Sequence, residues 1–336
     1  MKPKAIDLFS GCGGLTLGLR QAGFQVIGAV EIDPVAVETY KSNHKRVHVW
    51  TKDICDLTIE EIRKRFNLRP GELDLVAGCP PCQGFSTMTT LNGRYDRNDD
   101  RNNLVFQYLR IIQGLRPKAV MMENVPDLLK DGRSATLKRE LEALGYVCKM
   151  DVLDTSKYGV PQRRRRFVLV AGHGQAIEFA KEVKGRRTVQ QAFAKLRRPK
   201  TDVLHNLAYR PSPAVLERIK LTPKDGGSRG DLGQEYQLAC HKKSDGFKDV
   251  YGRMAWNKPA PTITGGCFNP SKGRFLHPEE NRPISMREAA LLQSFPPDYR
   301  FSLMRGKTGV AQMIGNALPP EFIRRHASII TEFLRR

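Results

Sequence analysis

Residues 4–23 read KAIDLFSGCGGLTLGLRQAG, and this stretch decides the fold that we predict. The apolar run at residues 4–9 is typical of a buried strand, and residues 15–23 have helical periodicity that ends at a glycine. Between the two lie Gly11, Gly13 and Gly14. A strand, a glycine turn and a helix in this order form a ligand site at the carboxyl edge of a parallel sheet. We therefore expect a small-molecule site here.

Further strand-like runs follow at intervals along the first half of the chain. They are VIGAV at 26–30, LDLVAG at 73–78, KAVMMEN at 118–124 and RRFVLVAG at 165–172. Helical periodicity lies between them at 103–115 and 135–145. Strands that alternate with helices favour a mostly parallel sheet covered on both faces. The sequence predicts a doubly wound α/β fold.

The pattern changes in the second half of the chain. Residues 173–282 are basic, irregular and rich in Gly, Pro and Lys, which favours a smaller domain of loops and short strands. Helical patterns return at 285–295 and 320–336. We therefore predict one domain made of residues 1–172 and 283–336, with 173–282 as a second domain.

The charge of the protein is positive and unevenly distributed. The 336 residues carry a formal net charge of +21, and residues 163–258 hold 22 Lys or Arg against 9 Asp or Glu, which is +13 of that total. Such a concentration favours a polyanionic partner, because each phosphate that is neutralised releases condensed counterions. A solvated basic surface that keeps the protein soluble is the alternative.

The cysteines and the apolar runs indicate the class of protein. Seven cysteines are scattered along the chain, which favours reduced thiols over a disulfide framework. Only Cys79 and Cys82 form a CxxC pair, and no second ligand pair at zinc spacing accompanies them, so we expect no metal. There is no secretory signal and no run of about 18 apolar residues. We expect a soluble, cytoplasmic protein with no membrane partner.

The glycine loop leaves two interpretations open. The dinucleotide fingerprint requires a third glycine where Thr16 stands, so a pyrophosphate cradle is not favoured, whereas a small ligand against the glycine backbone is possible. Glu31 ends the second strand and could accept hydrogen bonds from ribose hydroxyls, and Asp53 could accept one from an adenine amino group. Alternatively, this is a tight turn with two ordinary surface acids.

The run GCPPCQGFS at 78–86 also follows an apolar strand. Its paired prolines restrict the backbone, and Cys82 would lie at the mouth of the sheet, where a thiolate could attack carbon. A buried structural thiol, a redox CxxC pair and half of a metal site are the alternatives. The redox interpretation leaves the glycine loop and the downstream arginines unexplained.

Two further runs carry polar groups next to strands. MMENVPDL at 121–128 places Glu123 and Asn124 at a strand end, where a buried carboxyl could hold or donate a proton to a ring nitrogen. PQRRRRFVLV at 161–170 places four arginines before a strand, and an arginine fork suits a pyrimidine carbonyl or a phosphate. A salt-bridged strand end and a solvated basic patch are the alternatives.

Taken in order, these motifs resemble the DNA (cytosine-5)-methyltransferase family, of the compact bacterial or phage type, over nearly the whole chain. The family's motifs are matched, in the same order along the chain, by DLFSGCGGL, Glu31, Asp53, GCPPCQGFS, ENV, QRRRR, RPISMREAALLQSFP and QMIGNALPP. Leu318 stands where the family more often has Val. The resemblance implies a Rossmann-like S-adenosylmethionine-dependent methyltransferase fold, with 173–282 as a target-recognition domain that contains the PTITGG element at 261–266.

The resemblance also implies site residues and a mechanism. The cofactor-binding residues would be Phe9, Gly11, Gly13, Gly14, Leu15, Glu31, Ile32, Asp53, Ile54, Pro80 and Asn316, and the catalytic group would be Cys82, Glu123, Asn124, Arg164 and Arg166. A cytosine in double-stranded DNA would flip out of the helix, and Cys82 would add to its C6. Glu123 would bind N3 and the exocyclic amine, and Arg166 would bind O2. Arg164 would support the loop geometry or bind a phosphate.

Several alternatives stay open at this level. A branch of the family methylates tRNA and carries a Cys-Phe-Thr element, but here Asn269 follows Cys267 and Phe268. A catalytically inactive DNA-binding protein and a nicotinamide-dependent oxidoreductase are the other two. The family type implies a monomer that protects DNA beside a cognate restriction endonuclease, without forming a stable complex with it.

Overall fold

The structure is a computed structural model of the 336-residue chain. It describes residues 1–81, 104–197, 200–236 and 249–335, with the side chain of Gln234 excepted. Cys82, the predicted nucleophile, lies outside the described residues.

In the part of the chain that the structure describes, seven strands form one mixed sheet. They are β1 (Lys4–Leu8), β2 (Gln25–Val30), β3 (His48–Trp50), β4 (Leu75–Gly78), β5 (Ala119–Asn124), β6 (Tyr146–Asp154) and β7 (Arg165–His173). The strand order is β3-β2-β1-β4-β5-β7-β6; β1 to β5 pair in parallel, whereas β7 is antiparallel to β5 and to β6. The direction of the strand order reverses between β1 and β4, which is where ligands bind in open α/β sheets.

Helices cover the sheet because their apolar sides pack on its strands. In the first part of the chain they are α1 (Gly14–Gln21), α2 (Pro34–Asn43), α3 (Ile59–Phe66), α4 (Leu104–Leu115) and α5 (Gly132–Ala143). The buried Tyr108 of α4 donates its hydroxyl hydrogen towards the carbonyl oxygens of Val76 and Met121, at 3.2 and 2.9 Å. This helix is therefore joined to the two central strands β4 and β5.

The described residues confirm the predicted doubly wound α/β fold. The five strands predicted from apolar runs are β1, β2, β4, β5 and β7. The strands β3 and β6 were not predicted, because β3 has three residues and β6 is mostly half-exposed or exposed, so neither is a continuous apolar run. No described helix has the length and apolar character needed to cross a membrane.

The chain divides into two compact units. The first contains Met1–Tyr158, Arg165–Glu182 and Leu318–Arg336, and the second contains Gly159–Arg164 and Val183–Ala317. Residues 283–317 thus belong to the second unit, whereas the sequence grouped them with the first. The functional division into a cofactor-binding and a target-recognition domain stays a prediction.

The first unit is closed by the C-terminal helix, Pro320–Phe333, which packs on α1. The close approach occurs at Gly18, where an added Cβ would lie 2.5 Å from Cβ of Ile323 and 2.6 Å from the carbonyl oxygen of Pro320. A glycine is needed there because any side chain would overlap with the C-terminal helix.

The second unit has shorter elements. Its helices are α6 (Val189–Phe193), α7 (Pro213–Leu221), α8 (Met286–Leu292) and α9 (Gly306–Asn316); the C-terminal helix is α10. A fully buried Arg253 donates to the carbonyl oxygens of Ile219 and Thr222 at the end of α7, each at 2.9 Å. It also donates to the carbonyl oxygens of His277 and Glu280, at 3.0 and 2.7 Å. One buried side chain thus connects the end of α7 to the loop that contains His277 and Glu280.

Candidate active site

The glycine loop connects β1 to α1 at the carboxyl edge of the sheet. Phe9, Gly11 and Gly13 have φ angles of 60°, 52° and 93°, in the left-handed region that favours glycine. The N–H of Ser10 donates to the Val30 carbonyl oxygen (3.0 Å), which joins the loop to β2. Gly13 is the N-cap residue of α1 and supplies no side chain there. The loop therefore presents backbone rather than side chains at the helix start.

Glu31 follows β2 and holds this loop from the side. Its Oε2 accepts from the N–H of Gly11, and its Oε1 accepts from the N–H of Asp33, both at 2.8 Å. Burial raises the pKa of Glu31, while the two backbone donors act in the opposite direction. Each carboxylate oxygen has a further lone pair, so this group can accept from a ligand hydroxyl as well. The adjacent Ile32 is 61% exposed and offers an apolar surface.

Asp53 and Ile54 follow β3 at the same edge of the sheet. Asp53 caps a short 3₁₀ helix, Ile54–Asp56, through a hydrogen bond from the Cys55 N–H to its Oδ1 (2.8 Å). Ile54 is buried, and its carbonyl oxygen accepts from Nη2 of Arg110 at 2.7 Å. The turn that carries Asp53 is therefore joined to α4. Leu15, in the first turn of α1, is also buried.

A buried polar group that the sequence did not indicate lies behind the glycine loop. Asp7 of β1 is fully buried, and its Oδ2 accepts from the hydroxyl of Thr16 at 2.6 Å. The Thr16 hydroxyl is also 2.7 Å from that of Tyr40, whereas Oδ1 of Asp7 has no hydrogen-bond partner among the residues that the structure describes. Burial raises the pKa of Asp7 to about 7. Thr16, the departure from the dinucleotide fingerprint, is thus the link between β1, α1 and α2.

Glu123 and Arg166 form an ion pair between neighbouring strands. Arg166 Nε lies 2.7 Å from Glu123 Oε1, and their side chains are 16% and 10% exposed. The pair forms because β5 and β7 run antiparallel, so the end of β5 lies beside the start of β7. A carboxylate and a guanidinium, the two groups predicted to bind a pyrimidine, are therefore in contact.

The loop after β4 is attached to the same strand end. Gly78 of β4 pairs with Met122 of β5, so Cys79 lies beside Glu123. The Cys79 thiol donates a hydrogen bond to the Glu123 carboxylate, and burial, then the carboxylate, raises the pKa of Cys79. Asn124 Nδ2 donates to the carbonyl oxygen of Pro80 at 3.0 Å. Asn124 therefore fixes the backbone two residues before Cys82.

In the second unit, Arg164 lies in the interior. Its Nη1 donates to the Ile263 carbonyl oxygen (2.9 Å) and its Nη2 to the Gly315 carbonyl oxygen (2.8 Å), and the residue is 4% exposed. Asn316 ends α9 and is exposed. Two arginines of QRRRR therefore have different partners. Arg166 forms an ion pair with a carboxylate, and Arg164 donates hydrogen bonds to backbone carbonyl oxygens.

Among the described residues, no group of three or more His, Cys, Asp or Glu side chains is placed to hold a metal ion. The described site residues contribute carboxylates, backbone amides and guanidinium groups.

The profile of the C-5 cytosine-specific DNA methylase family matches residues 3–332. The chain belongs to this family. It is 36% identical to the type II methylase M.HgiDII of Herpetosiphon aurantiacus, in an alignment that covers 98% of this chain and 95% of that protein. It is 35% identical to the type II methyltransferase M1.HphI of Haemophilus parahaemolyticus, over 94% and 83%. The protein is thus a DNA (cytosine-5)-methyltransferase, and its family implies S-adenosylmethionine as the methyl donor.

Solved structures share the fold of this methyltransferase. A protein described as a DNA modification methyltransferase encoded within an E. coli prophage superposes with a TM-score of 0.77 at 24% identity, covering 99% of this chain and all of that one. The Entamoeba histolytica methyltransferase EhMeth superposes with a TM-score of 0.69 at 18% identity, covering both chains fully. At these identities the likeness concerns the fold.

Sequence reasoning missed two residues of the methyltransferase that lie next to the predicted site: Asp7, behind the glycine loop, and Cys79, beside Glu123. Asp7 is a charged residue inside an apolar strand, and that exception was the available signal. In the sequence Cys79 stands only as the first half of the CxxC pair; its contact with Glu123 depends on the register of β4 and β5, which the sequence does not reveal.

Proposed function

We propose that this enzyme methylates carbon 5 of a flipped-out cytosine within a specific double-stranded DNA sequence, through a covalent adduct between Cys82 and C6. The observation that carries this proposal is the Glu123–Arg166 ion pair at the end of β5. It supplies a proton carrier and a fork of donors side by side, as the Watson–Crick edge of cytosine requires.

The base chemistry follows from these two groups and the thiolate. Addition of the Cys82 thiolate to C6 moves electron density towards C5 and N3, and a proton shared by Glu123 and N3 stabilises the ring. Arg166 holds O2, and its contact with Glu123 keeps both side chains oriented before the base arrives. Once C5 has taken the methyl group, with its bond to the donor's sulfur broken, loss of the C5 proton restores the C5–C6 double bond and expels the Cys82 thiolate.

The cofactor residues fit a nucleoside with an amino-acid tail. The glycine loop has a left-handed backbone and few side chains, so a ligand can approach its backbone closely. Glu31 can accept hydrogen bonds from ribose hydroxyls, and the exposed Ile32 can contact an adenine face. S-adenosylmethionine supplies an electrophilic methyl group when bound. The full proposed set is Phe9, Gly11, Gly13, Gly14, Leu15, Glu31, Ile32, Asp53, Ile54, Pro80 and Asn316, with no metal.

We assign the basic second half of the chain to DNA. The +13 charge of residues 163–258 suits phosphates, which position a protein on a duplex without specifying sequence. Loops of residues 173–282 would read base edges in the major groove. Because the relatives above are named as type II enzymes, we propose that this chain protects DNA from a restriction endonuclease and acts as a monomer without a stable complex.

The decisive experiment is expression in a host that lacks 5-methylcytosine, followed by DNA sequencing that resolves this base. We expect 5-methylcytosine at one short sequence, and none with the Cys82→Ser variant. Purified enzyme with labelled S-adenosylmethionine should modify duplex DNA and leave tRNA unlabelled. If tRNA becomes labelled and DNA does not, the substrate is RNA and not DNA. If neither nucleic acid becomes labelled, the proposal is refuted.

A further inference from the structure

Three buried side chains of the second unit form one connected polar group. Gln162 and Gln293 are fully buried, and Arg164 is 4% exposed. Gln162 Nε2 donates to Gln293 Oε1 at 2.8 Å. Polar side chains so far from water are retained only where their hydrogen bonds are made inside the protein.

One end of this group holds Ile263, in the PTITGG element at 261–266. Gln162 Oε1 accepts from the Ile263 N–H (2.8 Å), and Arg164 Nη1 donates to the Ile263 carbonyl oxygen (2.9 Å). Both backbone groups of Ile263 therefore bind side chains rather than a neighbouring strand. The flanking Thr262 donates its hydroxyl to the Arg163 carbonyl oxygen at 2.9 Å.

The other end holds the last turn of α9. Arg164 Nη2 donates to the Gly315 carbonyl oxygen (2.8 Å), and Gln293 Nε2 donates to those of Ile314 (2.5 Å) and Ala317 (3.1 Å). These carbonyls end a helix and would otherwise lack donors, and a cation there also interacts favourably with the helix dipole.

The element and the helix end touch directly. A Cβ added at Gly315 would lie 2.3 Å from the backbone of Thr264 and of Gly265. A glycine is therefore needed at position 315, because any side chain there would overlap with the backbone of the element. Its side chains point in opposite directions at the contact, because Ile263 is fully buried whereas Thr264 is exposed.

We propose that Gln162, Arg164 and Gln293 are positioning residues, which hold the 261–266 element in the conformation that binds duplex DNA with Thr264 facing the nucleic acid. The proposal rests on the proposed function. It gives Arg164 a role in DNA recognition in place of one in base chemistry, since both terminal nitrogens of its guanidinium already donate to interior carbonyls.

The first test compares Arg164→Lys with Arg139→Lys, an exposed arginine of α5. A lysine keeps the charge and loses the fork that reaches two carbonyls at once. We expect Arg164→Lys to raise KM for DNA by about tenfold or more, with kcat at saturating DNA and KM for S-adenosylmethionine changed far less. Gln293→Met, which leaves Arg164 in place, should shift the same constant in the same direction.

The second test uses an isosteric pair at the exposed position. Thr264→Asp and Thr264→Asn each retain an acceptor for the Gly266 N–H and have nearly the same shape, and they differ in charge and in the N–H donors of the amide. Next to a phosphate or a base edge, the Asp variant should bind a fluorescent duplex more weakly than the Asn variant, with a difference that shrinks as salt rises. Because both changes are on the surface, this pair is informative even where an Arg164 variant unfolds.

The outcomes separate this inference from the proposed function. Absence of 5-methylcytosine with the wild-type enzyme refutes the proposed function. The duplex affinities of the two Thr264 variants do not depend on activity and can still be compared. If methylation occurs but Arg164→Lys lowers kcat with KM for DNA unchanged, Arg164 acts on the reaction and the inference is overturned. Equal duplex affinity of the two Thr264 variants overturns it as well.

Discussion

Arg166 and Glu123 are in contact, with Nε of the arginine 2.7 Å from Oε1 of the glutamate. The two residues are 43 positions apart in the sequence and meet because β7 runs antiparallel to β5. This ion pair is largely shielded from water, so its geometry is maintained before a base enters. Its replacement should affect the reaction more than the fold.

Glu123→Gln should abolish most of the activity and leave DNA binding intact. The amide keeps the shape and cannot exchange a proton with the ring, and positioned proton transfer contributes about 10²–10⁴-fold to a rate. Single-turnover methylation, with anisotropy of a labelled duplex as the binding measurement, checks this. Arg139→Lys serves as the control variant. A Glu123→Gln enzyme that turns over within a factor of about three of wild type would contradict the role assigned to Glu123.

Cys79→Ala should lower kcat, and Cys79→Ser should recover most of it. The thiol donates to Glu123, and serine retains a donor at that position, whereas alanine leaves the carboxylate without it. Hydrogen bonds of this kind are worth about 0.5–1.5 kcal/mol, or roughly two- to tenfold in rate. Cys148→Ala, in the outer strand β6, is the matched control. Equal rates for the Ala and Ser variants would contradict a role of the Cys79 hydrogen bond in the reaction.

Glu31→Gln should weaken cofactor binding. Its two oxygens accept from Gly11 and Asp33, and an amide can accept from only one of them, so the loop loses an anchor and the ligand loses an anionic acceptor. Hydrogen bonds to a charged group contribute about 1.5–3 kcal/mol, so Kd for S-adenosylmethionine should rise by about ten- to hundredfold. Calorimetric titration measures this, with the exposed Glu60→Gln as control. An unchanged Kd would contradict the cofactor role of Glu31.

Asp7 should make folding stability fall between about pH 4 and pH 7. Burial raises its pKa from 3.8 to about 7, so the neutral form is favoured in the folded state. The stabilisation that Asp7 provides is therefore fully present below pH 3.8. As the pH rises towards 7, the free energy of unfolding falls by roughly 4 kcal/mol in total. Urea unfolding of wild type and Asp7→Asn across this range tests it. The loss should be absent from the Asn variant, and parallel pH profiles would contradict the assignment.

The strands of the sheet could be predicted where the sequence is locally unambiguous. The runs that became β1, β4 and β5 are apolar because both faces of a central parallel strand are covered. The strand β6 was missed because it lies at the sheet edge and its side chains are mostly half-exposed, so no local pattern distinguishes it from a loop.

The order of the motifs along the chain was enough to identify the family and to predict the residues of the candidate site. This is possible because each motif is a short continuous run whose residue types indicate its chemistry. Tertiary structure alone decided what those residues touch. The antiparallel pairing of β7 brings Arg166 to Glu123, and the fold buries Arg164 against two carbonyls contributed by residues 99 and 151 positions away. Contacts over such separations depend on strand direction and packing, which no local run of sequence encodes.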